Sequence, residues 1–232
     1  MDIYIQAAKE IIRDDPNGLK VFSVTGSQGT GKTTVFNEFR KLVESGDNSE
    51  IGKVIKDFGE IYFVERKTSR SIQEEMGITK PEELFTDREL IKKFQTKALA
   101  RKAFDDIIKP YETGYKIVVT ERSPFDLASY TTAHLGFYSK YDSFVNRYIN
   151  EATKLSDVYF SMILKGGLFD IEHDGIRPVN SYYQSMIEKL QLQLLNERNS
   201  NYWDICDSPR LSERINMFAK LMIDVSGVKF ND

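Results

Sequence analysis

The stretch VTGSQGTGKTT, residues 24–34, decides the fold of this chain. It follows the short apolar run LKVFSVT, residues 19–25, and precedes apolar residues at helical spacing. From Gly26 to Thr33 it matches the pattern G-x-x-x-x-G-K-[ST], in the strand-to-helix setting that the pattern requires. Its glycines allow successive backbone amides to face the phosphates of a nucleoside triphosphate, helped by the positive end of the following helix.

The positions of this stretch, named here the phosphate loop, have distinct expected roles. The Lys32 ammonium is expected to reach the β- and γ-phosphates, and the Thr33 hydroxyl to ligate Mg²⁺. A glycine turn that only caps a helix does not explain Gly-Lys-Thr at this spacing. The predicted cofactor-binding residues are Gly26, Ser27, Gln28, Gly29, Thr30, Gly31, Lys32, Thr33 and Thr34.

Length and composition bound the class of protein. The 232 residues fit one α/β domain over 1–232, with a small lid region over 165–180. Hydrophobic residues make up 41% and charged residues 29%, which is typical of a folded rather than a disordered chain. The net charge of −3 gives no general basic field for nucleic acid or an anionic membrane.

The sequence carries no pattern typical of export or of a membrane span. Residues 1–18 mix acids and lysine into an apolar pattern, unlike a signal peptide. No run approaches the ~18 apolar residues of a membrane span. Cys206 is the single cysteine, so no internal disulfide can form, and we expect a reducing, cytoplasmic compartment. Two histidines and one cysteine, far apart, do not support a zinc site.

Short apolar runs alternate with helical patterns along the chain. This alternation predicts an α/β fold of three layers, in which a parallel sheet of about five strands is flanked by helices and carries a small lid loop. In such sheets ligands bind at the carboxyl ends of the strands, so the residues just after each strand matter most. The predicted strands are residues 19–25, 61–65, 115–121, 158–164 and 202–206.

Acidic residues end two of these strands. Glu65 ends IYFVE and Glu121 ends IVVTE, so both carboxylates would project toward the phosphate loop if both strands are parallel neighbours of the first. One carboxylate is suited to accept a proton from an attacking hydroxyl and the other to hold the Mg²⁺ shell. Either acid alone is equally consistent with the start of a solvated loop. Arg122, next to Glu121, has a guanidinium fork suited to a phosphate, and Arg177 lies in the glycine-rich 165–180 region.

The order of these features resembles a known group of proteins. The chain is similar to the AAA-type P-loop ATP-binding family related to nicotinamide-riboside kinase domains, and more distantly to deoxynucleoside and thymidylate kinases. The resemblance covers roughly residues 21–225. The segments that carry it are GSQGTGKTT, FVERKTSRSIQEEMGI, FQTKALARKAF, VVTERSPFDLASYT and EHDGIRPVNSYYQSMIEKLQLQLL.

This resemblance implies residue roles. A glutamate after the second strand is the base of deoxynucleoside kinases and corresponds to Glu65. Their Glu-Arg-Ser after the third strand corresponds to residues 121–123, and their lid arginine to Arg177. The acceptor-binding residues of these kinases have no match in this sequence, so the resemblance does not identify the acceptor.

The sequence therefore predicts a P-loop kinase that transfers the γ-phosphoryl of MgATP to a small nucleoside or nucleoside monophosphate. Lys32, Arg122 and Arg177 would neutralise developing charge, and Thr33 and Glu121 would serve the metal. The expected partner is this small-molecule acceptor, with no membrane partner, nucleic acid disfavoured and a homodimer left open. Two alternatives remain: a nucleotide-dependent binding switch or regulatory NTPase without a small acceptor, and a polynucleotide 5′-kinase.

Overall fold

Five parallel strands form one sheet, with the strand before the phosphate loop at its centre. The computed structural model describes residues 2–46, 52, 58–65, 69–78, 86–136, 143–167, 181–197 and 202–227. The strands are β1 (Lys20–Gly26), β2 (Ile61–Phe63), β3 (Ile117–Glu121), β4 (Tyr159–Leu164) and β5 (Tyr202–Cys206). The strand order is β2-β3-β1-β4-β5, and every neighbouring pair is parallel.

Helices cover both faces of this sheet, so the predicted three-layer α/β architecture is confirmed. π-helical turns extend two of them, over Phe104–Ile108 and Thr132–Gly136. The α-helices of the described residues are α1 (Ile3–Asp14), α2 (Lys32–Ser45), α3 (Ser69–Glu75), α4 (Arg88–Ala103), α5 (Lys109–Glu112), α6 (Pro124–Thr131), α7 (Ser143–Leu155), α8 (Ser181–Glu197) and α9 (Leu211–Ser226).

Two apolar cores hold the layers together. On one face, Phe22 and Val24 of β1 pack with Phe39 of α2 and Phe218 of α9. On the other face the sheet packs against α4, α6, α7 and α8, and α1 covers the outer side of this layer. All residues of β1 beyond Lys20 are buried, as expected for the central strand of a parallel sheet. The sheet is thus packed on both faces, and it fixes the positions of the residues at the strand ends.

The strand bounds differ from the sequence-based prediction by at most two residues, whereas two helix predictions need correction. Helical spacing in the sequence predicts one helix over about 87–109; it continues through Glu112, with a π-helical turn between α4 and α5. Ser208 followed by Pro209 is a typical helix start and predicts that the last helix begins there. That prediction was wrong, because the helix begins at Leu211 with Arg210 as its N-cap. The Ser208 hydroxyl instead accepts the Arg210 N–H at 3.1 Å, which holds the turn before the helix.

No helix in the described ranges is both long and apolar enough to cross a bilayer. The division of the chain into one domain over 1–232 stays a prediction. The lid region over 165–180 lies outside the described residues from position 168 onward.

Candidate active site

The phosphate loop lies at the carboxyl end of β1 and leads directly into α2. Gly26, Gly29 and Gly31 have φ angles of 131°, 72° and 81°, a region that residues with a Cβ rarely adopt. A Cβ at Gly26 would lie 2.5 Å from the Leu164 carbonyl oxygen, so the neighbouring strand β4 also requires glycine there. The loop therefore packs closely against the end of β4, and its positive φ angles give the backbone the curved shape that binds anions.

Lys32 is the first residue of α2, and its side chain folds back over the loop. Its ammonium is buried and donates to the Gly26 carbonyl at 3.0 Å, to the Ser27 carbonyl and to the Thr30 hydroxyl at 3.3 Å. The Ser27 hydroxyl is buried in the same loop and makes no hydrogen bond with the described residues. A cation and an unpaired hydroxyl inside a glycine cradle fit a phosphate group.

Thr33 and Glu121 are brought together, as the sequence predicted. The Thr33 hydroxyl on the first turn of α2 donates to a Glu121 carboxylate oxygen at 3.0 Å. Glu121 is the last residue of β3, which pairs with β1 and sets Glu121 opposite Val24. A hydroxyl and a carboxylate oxygen are hard ligands of the kind that Mg²⁺ prefers. Thr34, the last residue of the loop, is exposed on α2.

Glu65 occupies a different place from the one the sequence suggested. Both acids follow parallel strands, but β3 lies between β2 and β1, so only the strand of Glu121 neighbours the phosphate loop. Since adjacent strands are ~4.8 Å apart, Glu65 is displaced by about 10 Å along the sheet edge. Its side chain is exposed and its carboxylate makes no hydrogen bond with any described residue. The expectation that both strands are neighbours of the first was therefore wrong for Glu65.

Arg122 follows Glu121 in a strained turn. Its φ of 67° is the one positive value at a non-glycine residue of the described chain. Such conformations persist where the surrounding structure enforces them, and they concentrate at functional sites. The Arg122 N–H donates to the Val24 carbonyl at 2.9 Å, so the turn is tied to β1 beside the phosphate loop.

A buried carboxylate joins this turn to the loop. In the sequence, Ser123 followed by Pro124 and Asp126 predicts a capping box at the start of a helix. Asp126 accepts the Ser123 N–H at 2.6 Å, as such a box requires. It also accepts hydrogen bonds from the Thr25 hydroxyl and from the Gly26 N–H, the latter at 3.3 Å. Asp126 is 1% exposed. Asp126 therefore connects the start of α6 to Thr25 and Gly26 of the phosphate loop.

Helix α8 supports the loop from the other side. The Gln184 amide donates to the Gln28 carbonyl at 2.7 Å, and the Gln191 amide donates to the Thr25 hydroxyl at 2.6 Å. From α9, the Arg214 guanidinium donates to the Thr30 carbonyl at 2.7 Å. The sequence marks Gln184 only as the partner of Ser181 in a predicted capping box, and it marks neither Gln191 nor Arg214, because each contact joins distant parts of the chain.

A half-buried lysine supports the end of β3 in the same way. The Lys102 ammonium donates to Asp106 at 2.6 Å and to the Glu121 carbonyl at 3.1 Å. The Tyr159 hydroxyl donates to the same Asp106 carboxylate at 2.9 Å. The backbone that carries Glu121 is therefore held by an ion pair beneath it.

Replacing Asp126 by alanine is expected to destabilise the protein. The change leaves buried donors on Thr25, Gly26 and Ser123 without an acceptor, which should lower the free energy of unfolding by roughly 2–3 kcal/mol. Urea unfolding followed by circular dichroism measures this change. Asp224→Ala is the matched control, since Asp224 is exposed on α9, and surface changes of this kind stay within about 0.5 kcal/mol. Equal unfolding midpoints for both variants would contradict the assignment.

Several other sequence predictions can be located. The His134 Nε2 shares a hydrogen bond with the Tyr183 hydroxyl at 3.0 Å, which agrees with a satisfied structural histidine. Within the described ranges no group of three or more histidine, cysteine, aspartate or glutamate side chains can hold a metal ion. Arg177, predicted as the lid arginine, lies outside the described residues, as does the second histidine, His173.

Several kinases of solved structure are similar to this chain. A thymidylate kinase from Ehrlichia chaffeensis is similar over 91% of this chain and 99% of that chain, with 17% identity and a TM-score of 0.46. A shikimate kinase from Acinetobacter baumannii, solved with shikimate, is similar over 97% of this chain and 99% of that chain, with 13% identity and a TM-score of 0.47. A thymidylate kinase from Candida albicans is similar over 90% of this chain and 92% of that chain, with 14% identity and a TM-score of 0.44.

No protein-family model matches the chain, and no curated protein matches its sequence. The proposals below therefore rest on the residues of the site and not on these likenesses.

Proposed function

We propose that this protein is a kinase that transfers the γ-phosphoryl group of MgATP to a small nucleoside or nucleoside monophosphate. The observation that carries this proposal is the meeting of Thr33, on the phosphate-loop helix, with Glu121 at the end of the neighbouring strand. The Arg122 turn follows directly and its N–H is bound to the Val24 carbonyl, so its backbone lies beside the proposed metal pair.

The residues present fit ATP and Mg²⁺. The loop amides and the Lys32 ammonium would hold the phosphates, and the Ser27 hydroxyl offers a further buried polar group. Thr33 and Glu121 would hold the metal, directly or through its water shell. When bound, Mg²⁺ neutralises charge on the transferring group.

The acceptor would lie beyond the γ-phosphate, toward the end of β2. Glu65 is exposed there and is the proposed general base when the acceptor is a hydroxyl. With a nucleoside monophosphate no base is required, and Glu65 would instead position the acceptor. Arg122, and Arg177 from the lid region, are proposed to neutralise charge on the transferred phosphoryl group.

Incubation with γ-labelled ATP and a panel of acceptors tests this function. The panel contains nucleosides, deoxynucleoside monophosphates, nicotinamide riboside and oligonucleotides with 5′-hydroxyl ends. We expect label on a nucleoside or a nucleoside monophosphate. Label on the oligonucleotides alone would favour a polynucleotide 5′-kinase. Label on none of them, with ATP still bound, would favour a switch or regulatory NTPase.

Glu121→Gln tests the metal pair. Loss of the carboxylate charge is expected to lower transfer roughly 10- to 100-fold and to raise the Mg²⁺ concentration needed for half-maximal rate. Initial rates over a Mg²⁺ titration measure both effects. Thr33→Ser is the control, because serine keeps the hydroxyl; its Mg²⁺ dependence should stay close to that of the wild type. An unchanged Mg²⁺ dependence in Glu121→Gln would remove Glu121 from the metal site.

A further inference from the structure

The Arg122 backbone is fixed on both sides, but backbone geometry alone does not fix its side chain. The Arg122 N–H is bound to the Val24 carbonyl, and the next N–H, of Ser123, is bound to Asp126. The guanidinium stands at the end of several rotatable bonds, whose freedom must be lost whenever it contacts a phosphoryl group. A contact from outside the turn is therefore needed to order the Arg122 guanidinium before the reaction.

Tyr130 supplies that contact. The central guanidinium carbon of Arg122 lies 5.6 Å from the centre of the Tyr130 ring, within the range of a cation–π interaction. Tyr130 lies on α6, the helix that begins directly after the Arg122 turn. Burial lowers the pKa of Arg122, but Tyr130, Asp126 and Glu121 together raise it above its ordinary value. The guanidinium is therefore charged and drawn toward the tyrosine.

Tyr130 is in turn part of a set of rings that joins two helices. The Tyr130 and Tyr183 ring centres are 6.4 Å apart, and the Tyr183 hydroxyl shares its 3.0 Å hydrogen bond with His134. Tyr183 belongs to α8, whereas His134 lies in the π-helical turn that extends α6. Tyr130, His134 and Tyr183 are named here the aromatic bridge. Helix α8 also holds the phosphate loop, through Gln184. The aromatic bridge therefore joins Tyr130, which contacts Arg122, to the helix that contacts the phosphate loop.

We propose that Tyr130 is a positioning residue for phosphoryl transfer: it holds the Arg122 guanidinium in place, and Tyr183 and His134 hold the Tyr130 ring. The proposal rests on the proposed function, which assigns Arg122 to the transferred phosphoryl group. A cation ordered before the reaction stabilises developing charge without a cost of reorganisation during the step. Tyr130 thus acts through Arg122.

A double-mutant cycle on Tyr130 and Arg122 tests this role. Tyr130→Leu is expected to lower kcat on the order of ten-fold, with the KM for ATP little changed, because the cation–π contact is lost. Tyr130→Phe keeps the ring but removes the hydroxyl, which also attracts the guanidinium, so kcat should fall less than in Tyr130→Leu. In an Arg122→Ala background, Tyr130→Leu should cause no further loss, since coupled residues are not additive. Equal losses in both backgrounds would overturn the proposal, as would a Tyr130→Phe variant as slow as Tyr130→Leu.

The Arg122 side-chain N–H signal in ¹H–¹⁵N NMR gives a readout that does not need turnover. Arg122→Lys assigns the signal by its disappearance. A guanidinium beside the ring should give a shifted signal, retained in Tyr130→Phe and moved in Tyr130→Leu. An unmoved signal in a folded Tyr130→Leu variant would overturn the placement of Arg122. If the wild type phosphorylates no acceptor, the proposed function fails, while this measurement still decides whether Tyr130 holds Arg122.

Discussion

Replacing Lys32 by alanine is expected to lower phosphoryl transfer roughly 100- to 1000-fold, the effect of removing one preorganised donor from a developing negative charge. The Lys32 ammonium lies buried against the loop carbonyls of Gly26 and Ser27, at the first turn of α2. In this place it is a buried cation inside the glycine cradle that we assign to the phosphates. Steady-state rates with labelled ATP measure the loss.

Lys41→Ala is the matched control for this variant. Lys41 lies on the same helix, with an exposed side chain paired to Glu38. Exposed pairs of this kind contribute little to stability, so the control should keep wild-type rates and a wild-type melting temperature. A Lys32→Ala variant that folds and retains more than about a tenth of the wild-type rate would contradict the role of Lys32 in transfer, given the size of such donor effects.

Glu65→Gln is expected to lower transfer to a hydroxyl acceptor roughly 100-fold or more, since general bases contribute about 10²- to 10⁴-fold. The variant keeps the size of the side chain and removes its ability to take a proton. The phosphate loop lies two strands away, so ATP affinity should not change. Single-turnover rates and an equilibrium ATP titration separate the two quantities.

Glu60→Gln controls for the loss of one charge on this edge strand. Glu60 is exposed just before β2, whereas Glu65 follows the strand, so the two residues lie at opposite ends of it. The control should transfer at the wild-type rate. Near-normal turnover in Glu65→Gln with a hydroxyl acceptor would remove Glu65 as the base, and weakened ATP binding would place it in the donor half of the site instead.

Local patterns in the sequence predict the parts of the site that adjacent residues form. The strand and helix on either side of the phosphate loop follow from apolar spacing and glycine chemistry. The capping box at Ser123 follows from the turn residues, and Asp126 accepts the Ser123 N–H as predicted. Glu121 meets Thr33 because its strand is a parallel neighbour of β1, an arrangement that alternating strands and helices favour.

Long-range contacts and strand order do not follow from such patterns. Gln184 and Arg214 contact the phosphate loop from positions 156 and 184 residues away, and no local spacing predicts either contact. Nor does a sequence tell which strand lies between two others, and this is why Glu65 lies farther along the sheet edge than expected. The positive φ of Arg122 is equally hidden, because the network around Val24 and Asp126 imposes it.

The fate of the γ-phosphoryl group tests the central claim most directly. Wild-type protein is incubated with γ-labelled ATP, Mg²⁺ and the acceptor selected by the panel, and label is measured in the acceptor and in inorganic phosphate. A kinase with this site should deliver most of the label to the acceptor, and Lys32→Ala should remove that product. Label that appears only in inorganic phosphate, at the same rate with and without the acceptor, would contradict phosphoryl transfer as the function of this protein.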